Sequence, residues 1–130
     1  MKVLAPRTHG FIDYLAVIGL ALAPTLFGFA GVAATLCYVL ALVHLAMSLL
    51  TAYPLGIAKV IPFSIHGGVE VVVSIFLVTA PWIFGFADVP AARNFFIVSA
   101  ATLLLVYLLT NYRAADAQRT NDNLHTQHPA

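Results

Sequence analysis

His9 and Asp13 stand four residues apart, and so do His66 and Glu70, 57 positions further along the chain. On a helix that spacing puts the two side chains of a pair on one face and within reach of each other. An imidazole beside a carboxyl can relay a proton or hold a packing hydrogen bond. Where two such pairs converge, it can also ligate zinc, manganese or iron. Ser74 extends the second stripe by a turn, and Cys37, His44, Ser48 and Thr51 fall near one face of another apolar segment. Cys37 is the only cysteine, so the chain can form no internal disulfide and no multi-cysteine metal site.

The elements that must carry these groups are set by composition. Hydrophobic residues make up 62% of the 130 and charged residues 8%, and the mean hydropathy is +0.96. That leaves too little polar surface for a water-soluble domain. Four apolar stretches, 8–29, 31–53, 62–86 and 92–112, are each close to the roughly 20 residues that cross a hydrocarbon core as a helix. They are continuous runs without the period-two alternation of a transmembrane barrel. The first is not read as a signal peptide, because it carries Asp13 and has a counterpart in the third.

That counterpart is extensive. Lys2-Val3, His9-Gly10, Asp13, Ala23-Pro24 and Phe27-Gly28-Phe29-Ala30 return at an offset of 57 as Lys59-Val60, His66-Gly67, Glu70, Ala80-Pro81 and Phe84-Gly85-Phe86-Ala87. Leu49-Leu50-Thr51-Ala52-Tyr53 returns at an offset of 59 as Leu108-Leu109-Thr110-Asn111-Tyr112. The pattern predicts a tandem duplication: a first two-helix unit over 1–58, a second over 59–113, and a polar tail with little fixed structure over 114–130. Lys2, Arg7, Lys59, Arg113 and Arg119 flank one side of the spans, whereas the other two turns hold only Asp88 and Arg93. The positive-inside rule then predicts that both termini and the central loop are cytoplasmic. Two spans per unit place the copies in parallel orientation, related by an axis along the membrane normal.

The Ala-Pro-x-x-Phe-Gly-Phe element closes the first helix of each unit, with Pro24 and Pro81 loosening the last turn and Gly28 and Gly85 allowing the reversal. Phe27, Phe29, Trp82, Phe84 and Phe86 are expected at the outer interface and Tyr53 and Tyr112 at the cytoplasmic one. Taken together, the paired His-Gly-x-x-(Asp/Glu) and Ala-Pro-x-x-Phe-Gly-Phe elements, with Leu-Leu-Thr-Ala-Tyr and Ile-Pro-Phe, resemble the SPW-repeat family of small bacterial integral membrane proteins. The resemblance covers about residues 2 to 112. The chain departs from the family's Ser-Pro-Trp at Ala23-Pro24-Thr25 and, in its serine only, at Ala80-Pro81-Trp82. The resemblance implies membrane residence in the bacterial inner membrane and a two-helix repeat, with no established reaction, substrate or cofactor.

Counted from the helix starts, Asp13 and Glu70 lie on the order of 10 to 12 Å deep and His44 about 13 Å deep from the same side. A carboxyl at that depth costs several kcal/mol unless it is protonated or paired, and the spans offer no lysine or arginine there. The expectation is a polar intramembrane cluster of His9, Asp13, His44, His66 and Glu70 at the pseudo-twofold axis. Gly10, Gly67 and Gly68 are expected to let the first and third helices approach closely. The leading reading is a packing cluster in a non-enzymatic structural or interaction protein. Proton or cation conduction comes next, ahead of metal binding by His9, Asp13, His66 and Glu70 and of haem ligation by His44. No catalytic residue, cofactor or metal is assigned. The lipid bilayer is the expected partner, with room for a homo-oligomer or a second membrane protein. Nucleic acid is dismissed, because the few basic residues form no track.

Overall fold

A computed structural model describes residues 2–113, 116–117, 120–121 and 124. It is all-α: α1 (Pro6–Phe27), α2 (Gly31–Leu50), α3 (Phe63–Ile83) and α4 (Pro90–Leu109), each long and apolar enough to cross a membrane. Pro6 and Pro90 open α1 and α4, where a missing amide costs nothing. Pro24 and Pro81 sit inside the last turns of α1 and α3. Gly28 (φ 68°) and Gly85 (φ 72°) then take the left-handed conformation that reverses the chain, which a residue with a Cβ resists.

The helices pair as two hairpins, α1 against α2 and α3 against α4, with thinner contact between the hairpins. Within each hairpin the seam is built from small side chains. Ala23, Ala33, Ala34, Cys37 and Ala41 are buried along α1 and α2, and Ala80, Ala92 and Ala100 along α3 and α4 with Phe96. Small residues let backbones approach where lipid supplies no hydrophobic drive to associate. Leu15, Ile18, Leu26, Val72, Ile75 and Val98 point outward and exposed, the surface a bilayer solvates. Of the aromatics expected at the outer interface, Phe27, Trp82 and Phe84 are exposed. Phe29 and Phe86 instead fold inward and pack with the small-residue core.

Two of the apolar stretches end as helices earlier than expected, at Leu50 and Leu109. Beyond them the chain is extended and turns back over the end of the bundle. Thr51 pairs with Ile61 and Thr110 with Leu4 as isolated parallel bridges. The matching hydrogen bonds are Ile61 N–H to Leu50 O at 2.9 Å and Leu4 N–H to Leu109 O at 3.0 Å. Residues 4 and 61 differ by 57 and residues 50 and 109 by 59, so these contacts come in matched pairs, each tying the start of one half to the end of the other. In the tail, the described residues Asp116, Ala117, Thr120, Asn121 and Leu124 are helical rather than unstructured, Thr120 Oγ1 donating to Asp116 O at 3.0 Å. The remainder of 114–130 lies outside the described residues.

Candidate metal centre

The fold-back carries Tyr53 and Tyr112 into the bundle, where they are 3% and 5% exposed instead of marking an interface. Gly10 and Gly67 make room for them. A Cβ on Gly10 would lie 2.6 Å from Tyr53 Cε2, and one on Gly67 2.7 Å from Tyr112 Cε1, whereas Gly68 faces open space. The two glycines therefore seat tyrosine rings; they do not bring α1 and α3 together. Tyr53 donates its hydroxyl to Asp13 Oδ2 at 3.0 Å, and Tyr112 donates to Glu70 Oε2. Burial, then the adjacent carboxylate, raises both phenols above their ordinary range, so they remain donors.

The histidines are held from the opposite halves. His9 Nδ1 lies 2.9 Å from Thr110 Oγ1, and His66 Nδ1 lies 2.7 Å from Thr51 Oγ1. Each threonine also contacts the carbonyl four residues back, Val106 O at 2.7 Å and Met47 O at 2.6 Å. A carbonyl only accepts, so the hydroxyl hydrogen is spent there. The imidazole must bring its own proton to the threonine oxygen, which puts a proton on Nδ1. Nε2 of each ring faces the carboxylates at the centre. Second partners of this kind orient metal-binding histidines.

Four groups meet at that centre. His9 Nε2 is 3.2 Å from Asp13 Oδ1 and 3.3 Å from Glu70 Oε1, and His66 Nε2 is 3.6 Å from Asp13 Oδ2 and 3.8 Å from Glu70 Oε1. One donor atom from each of the four lies within 4.8 Å of every other. His9 and His66 are fully buried, with Asp13 and Glu70 beside them. His44, from α2, places Nε2 3.5 Å from Asp13 Oδ1 at the edge of the group. His9 Nε2, His44 Nε2 and Glu70 Oε1 have no hydrogen-bond partner. Among the described residues, no lysine or arginine pairs with either carboxylate.

Phe63 figures in the sequence reading only as the end of Ile-Pro-Phe, without a place in the cluster. It is fully buried, its ring centroid 5.0 Å from His9 and 4.6 Å from Tyr112. With the tyrosines it closes the cluster toward the end that carries the termini. The duplicated Leu-Leu-Thr-x-Tyr was the signal for Thr51, Tyr53, Thr110 and Tyr112; Phe63 has no repeated partner that could have marked it.

No family model, curated protein or solved structure matches the chain, so the resemblance to the SPW-repeat family rests on its motifs alone. What the fold and centre define is a four-helix, membrane-spanning class of chain with a buried His/Asp/Glu cluster.

Proposed function

We propose that this protein is a multi-pass membrane protein that binds one divalent transition-metal ion through His9, Asp13, His66 and Glu70. The observation that carries the reading is the set of orphaned donor atoms. A cluster that served packing alone would satisfy its own polar groups, since each buried polar atom left unpaired costs on the order of 1–3 kcal/mol. Here His9 Nε2 and Glu70 Oε1 face each other at 3.3 Å without the alignment of a hydrogen bond. Their outer atoms, meanwhile, are tied to threonine and tyrosine.

Spacing and charge favour the same reading. A charge-assisted hydrogen bond between imidazolium and carboxylate runs at about 2.7–2.9 Å. Donors around one ion, with bonds of about 2.1 Å, sit roughly 3.4 Å apart in a tetrahedral site. The four histidine–carboxylate contacts of 3.2 to 3.8 Å, which use both oxygens of Asp13, lie nearer the second spacing, within a donor set that spans up to 4.8 Å. Two carboxylates and two neutral imidazoles total −2, which a divalent ion cancels in a medium where bare charge is costly. Mixed nitrogen and oxygen donors suit zinc, manganese or iron.

The test is metal content. The chain, purified in detergent, stripped with a chelator and dialysed against Mn²⁺, Fe²⁺ or Zn²⁺ in turn, should retain one ion per chain. His66→Ala and Glu70→Gln should lose it. Retention by neither the wild type nor any variant, or by all of them equally, overturns the reading. The basic flanks further favour an orientation with both termini in the cytoplasm of a bacterial inner membrane. Cysteines placed at Gly31 and Asp88 should then be labelled by an impermeant thiol reagent from outside and one at Lys59 should not; the reverse pattern would refute that orientation.

A further inference from the structure

A cavity of about 350 Å³ runs up the middle of the bundle from the cluster. Its polar end is formed by Asp13, His44 and Glu70, and its far end by Phe27 and Phe95. Asp13 and Phe27 are 14 residues apart on α1, so the space extends along the helix axes for something on the order of 20 Å. Between its ends the wall is almost wholly aliphatic, broken by the hydroxyls of Ser99 and Thr102. Val43 and Val98, which also line it, are exposed on the lipid-facing surface, so the space opens sideways to the bilayer. The cluster is thus closed toward the termini by Phe63 and the tyrosines, and open toward an apolar slot. Ligand cavities have this size and this balance of apolar wall to few polar groups.

Several positions lining the cavity differ between the two halves of the chain. At the offset of 57, Gly19 corresponds to Phe76; at the offset of 59, His44 corresponds to Leu103, Leu40 to Ser99 and Val43 to Thr102. Gly19, His44, Leu103, Ser99 and Thr102 all line the same space. A Cβ on Gly19 would meet nothing within 4 Å, so no close neighbour requires a glycine there. Packing demands would have filled that position as Phe76 fills its own. The differences add room and hydrogen-bonding groups instead.

Resting on the metal reading, we propose that this slot binds a single-chain lipophilic alcohol or phenol, its tail along the cavity and its hydroxyl at the metal centre. Glu70 lines the polar end of the slot together with Asp13 and His44, so an ion held by the two carboxylates borders the same space. The hydroxyl oxygen donates a lone pair to the ion, and the hydroxyl hydrogen, retained on that oxygen, lies at the polar end of the slot beside Asp13 and His44. No bond to hydrogen is broken. The head must be uncharged, because the ion, two carboxylates and two neutral imidazoles already sum to zero and the surroundings are apolar. A charged head would carry its full desolvation cost into the slot.

Co²⁺ is the probe, since its visible d–d bands report the number and type of ligands. In lipid nanodiscs the Co²⁺-loaded protein is titrated with 1-dodecanol in one arm and 4-dodecylphenol in another, with dodecane and dodecyltrimethylammonium as controls. A saturable spectral change with either hydroxyl compound and with neither control is expected, and the arm that saturates at lower concentration identifies the aliphatic or phenolic source. Gly19→Phe should plug the slot, weakening the response at least tenfold while the Co²⁺ bands stay as in the wild type. Ser99→Phe, which fills the slot from α4, should do the same and serves if the first variant does not fold. Co²⁺ binding with bands that ignore both hydroxyl compounds, or respond equally in the plugged variants, overturns the slot proposal and leaves the metal reading standing. Failure of the wild type to bind Co²⁺ overturns both.

Discussion

His9 and Thr110 are 101 residues apart and share a 2.9 Å hydrogen bond in the buried centre, so the orientation of a helix-one histidine is set by the residue that caps helix four. Thr51 and His66 repeat the relationship at 2.7 Å in the other direction. Each half of the chain therefore supplies the clamp for the other half's imidazole. Neither histidine is correctly presented until both hairpins are assembled.

The clamp predicts a specific loss in Thr51→Val and Thr110→Val. Valine keeps the shape of threonine and removes the acceptor that holds Nδ1–H, so the ring is free to rotate or change tautomer. Metal affinity should fall roughly 10- to 100-fold per site, the usual scale for removing such an outer partner. Thr→Ser at either position should restore most of it. Competition titration against a chromophoric chelator measures the change, and unaltered affinity in both valine variants would remove the threonines from the site.

The glycines beneath the tyrosine rings give a stability prediction. Gly10→Ala places a methyl 2.6 Å from Tyr53 Cε2 and 3.1 Å from Leu55 Cδ1, and Gly67→Ala places one 2.7 Å from Tyr112. Alanine normally favours a helix over glycine. Here the overpacking should win, destabilising by about 1–3 kcal/mol, because a packed ring has nowhere to go. Gly68→Ala, one residue on and facing open space, should be neutral or stabilising. Unfolding in mixed micelles compares the three, and equal behaviour of Gly67→Ala and Gly68→Ala would contradict the packing described.

The transmembrane helices and the pairing of His9 with Asp13 and His66 with Glu70 were legible in the sequence because both are local. Hydropathy runs mark spans, and an interval of four marks a face. What the chain does after Leu50 and Leu109 was not local. Thr51, Tyr53, Thr110 and Tyr112 continue apolar stretches and read as the last turn of a helix and its interface tyrosine. In fact the backbone leaves the helix and inserts them into the centre, held by bridges to residues on the other half. The duplicated Leu-Leu-Thr-x-Tyr flagged these positions without saying where they point. The cavity was invisible for a related reason: it arises from the gap between two hairpins, and hydropathy is the same for a leucine that fills a gap and one that lines it.

The buried phenols predict a one-signed pH dependence. Tyr53 and Tyr112 are raised above their ordinary value of 10.0, chiefly by burial and then by Asp13 and Glu70 respectively; Lys2 Nζ lies 5.7 Å from the centroid of the Tyr112 ring. In the unfolded chain both ionise near pH 10, while in the folded chain they keep their protons. The folded state then binds more protons above that pH, so stability is full below about pH 10 and falls as pH rises further. Tyr53→Phe and Tyr112→Phe should each flatten that alkaline slope. Absorbance at 295 nm during alkaline titration should show two of the five tyrosines ionising only as the protein unfolds, and their free titration near pH 10 would contradict their burial.

Charge balance yields the most discriminating prediction, because metal binding and simple packing give opposite results. With the ion bound, Asp13 and Glu70 are neutralised; with the ion removed, two buried carboxyls face each other across orphaned imidazoles. A chelator should therefore destabilise the metal-loaded wild type by about 2.7 kcal/mol where free metal had stood at 100 times its Kd. The Asp13→Asn, Glu70→Gln double variant keeps size and hydrogen-bonding capacity but offers no anionic ligands. It should show no response to chelator and, without metal, should be at least as stable as the stripped wild type, since replacing uncompensated buried charge is often neutral or stabilising. If the cluster only packs helices, the chelator should leave the wild type unchanged, and the double variant, stripped of its charge-assisted contacts, should be the less stable of the two. Denaturant unfolding of both chains in detergent, with and without chelator, decides between these orders.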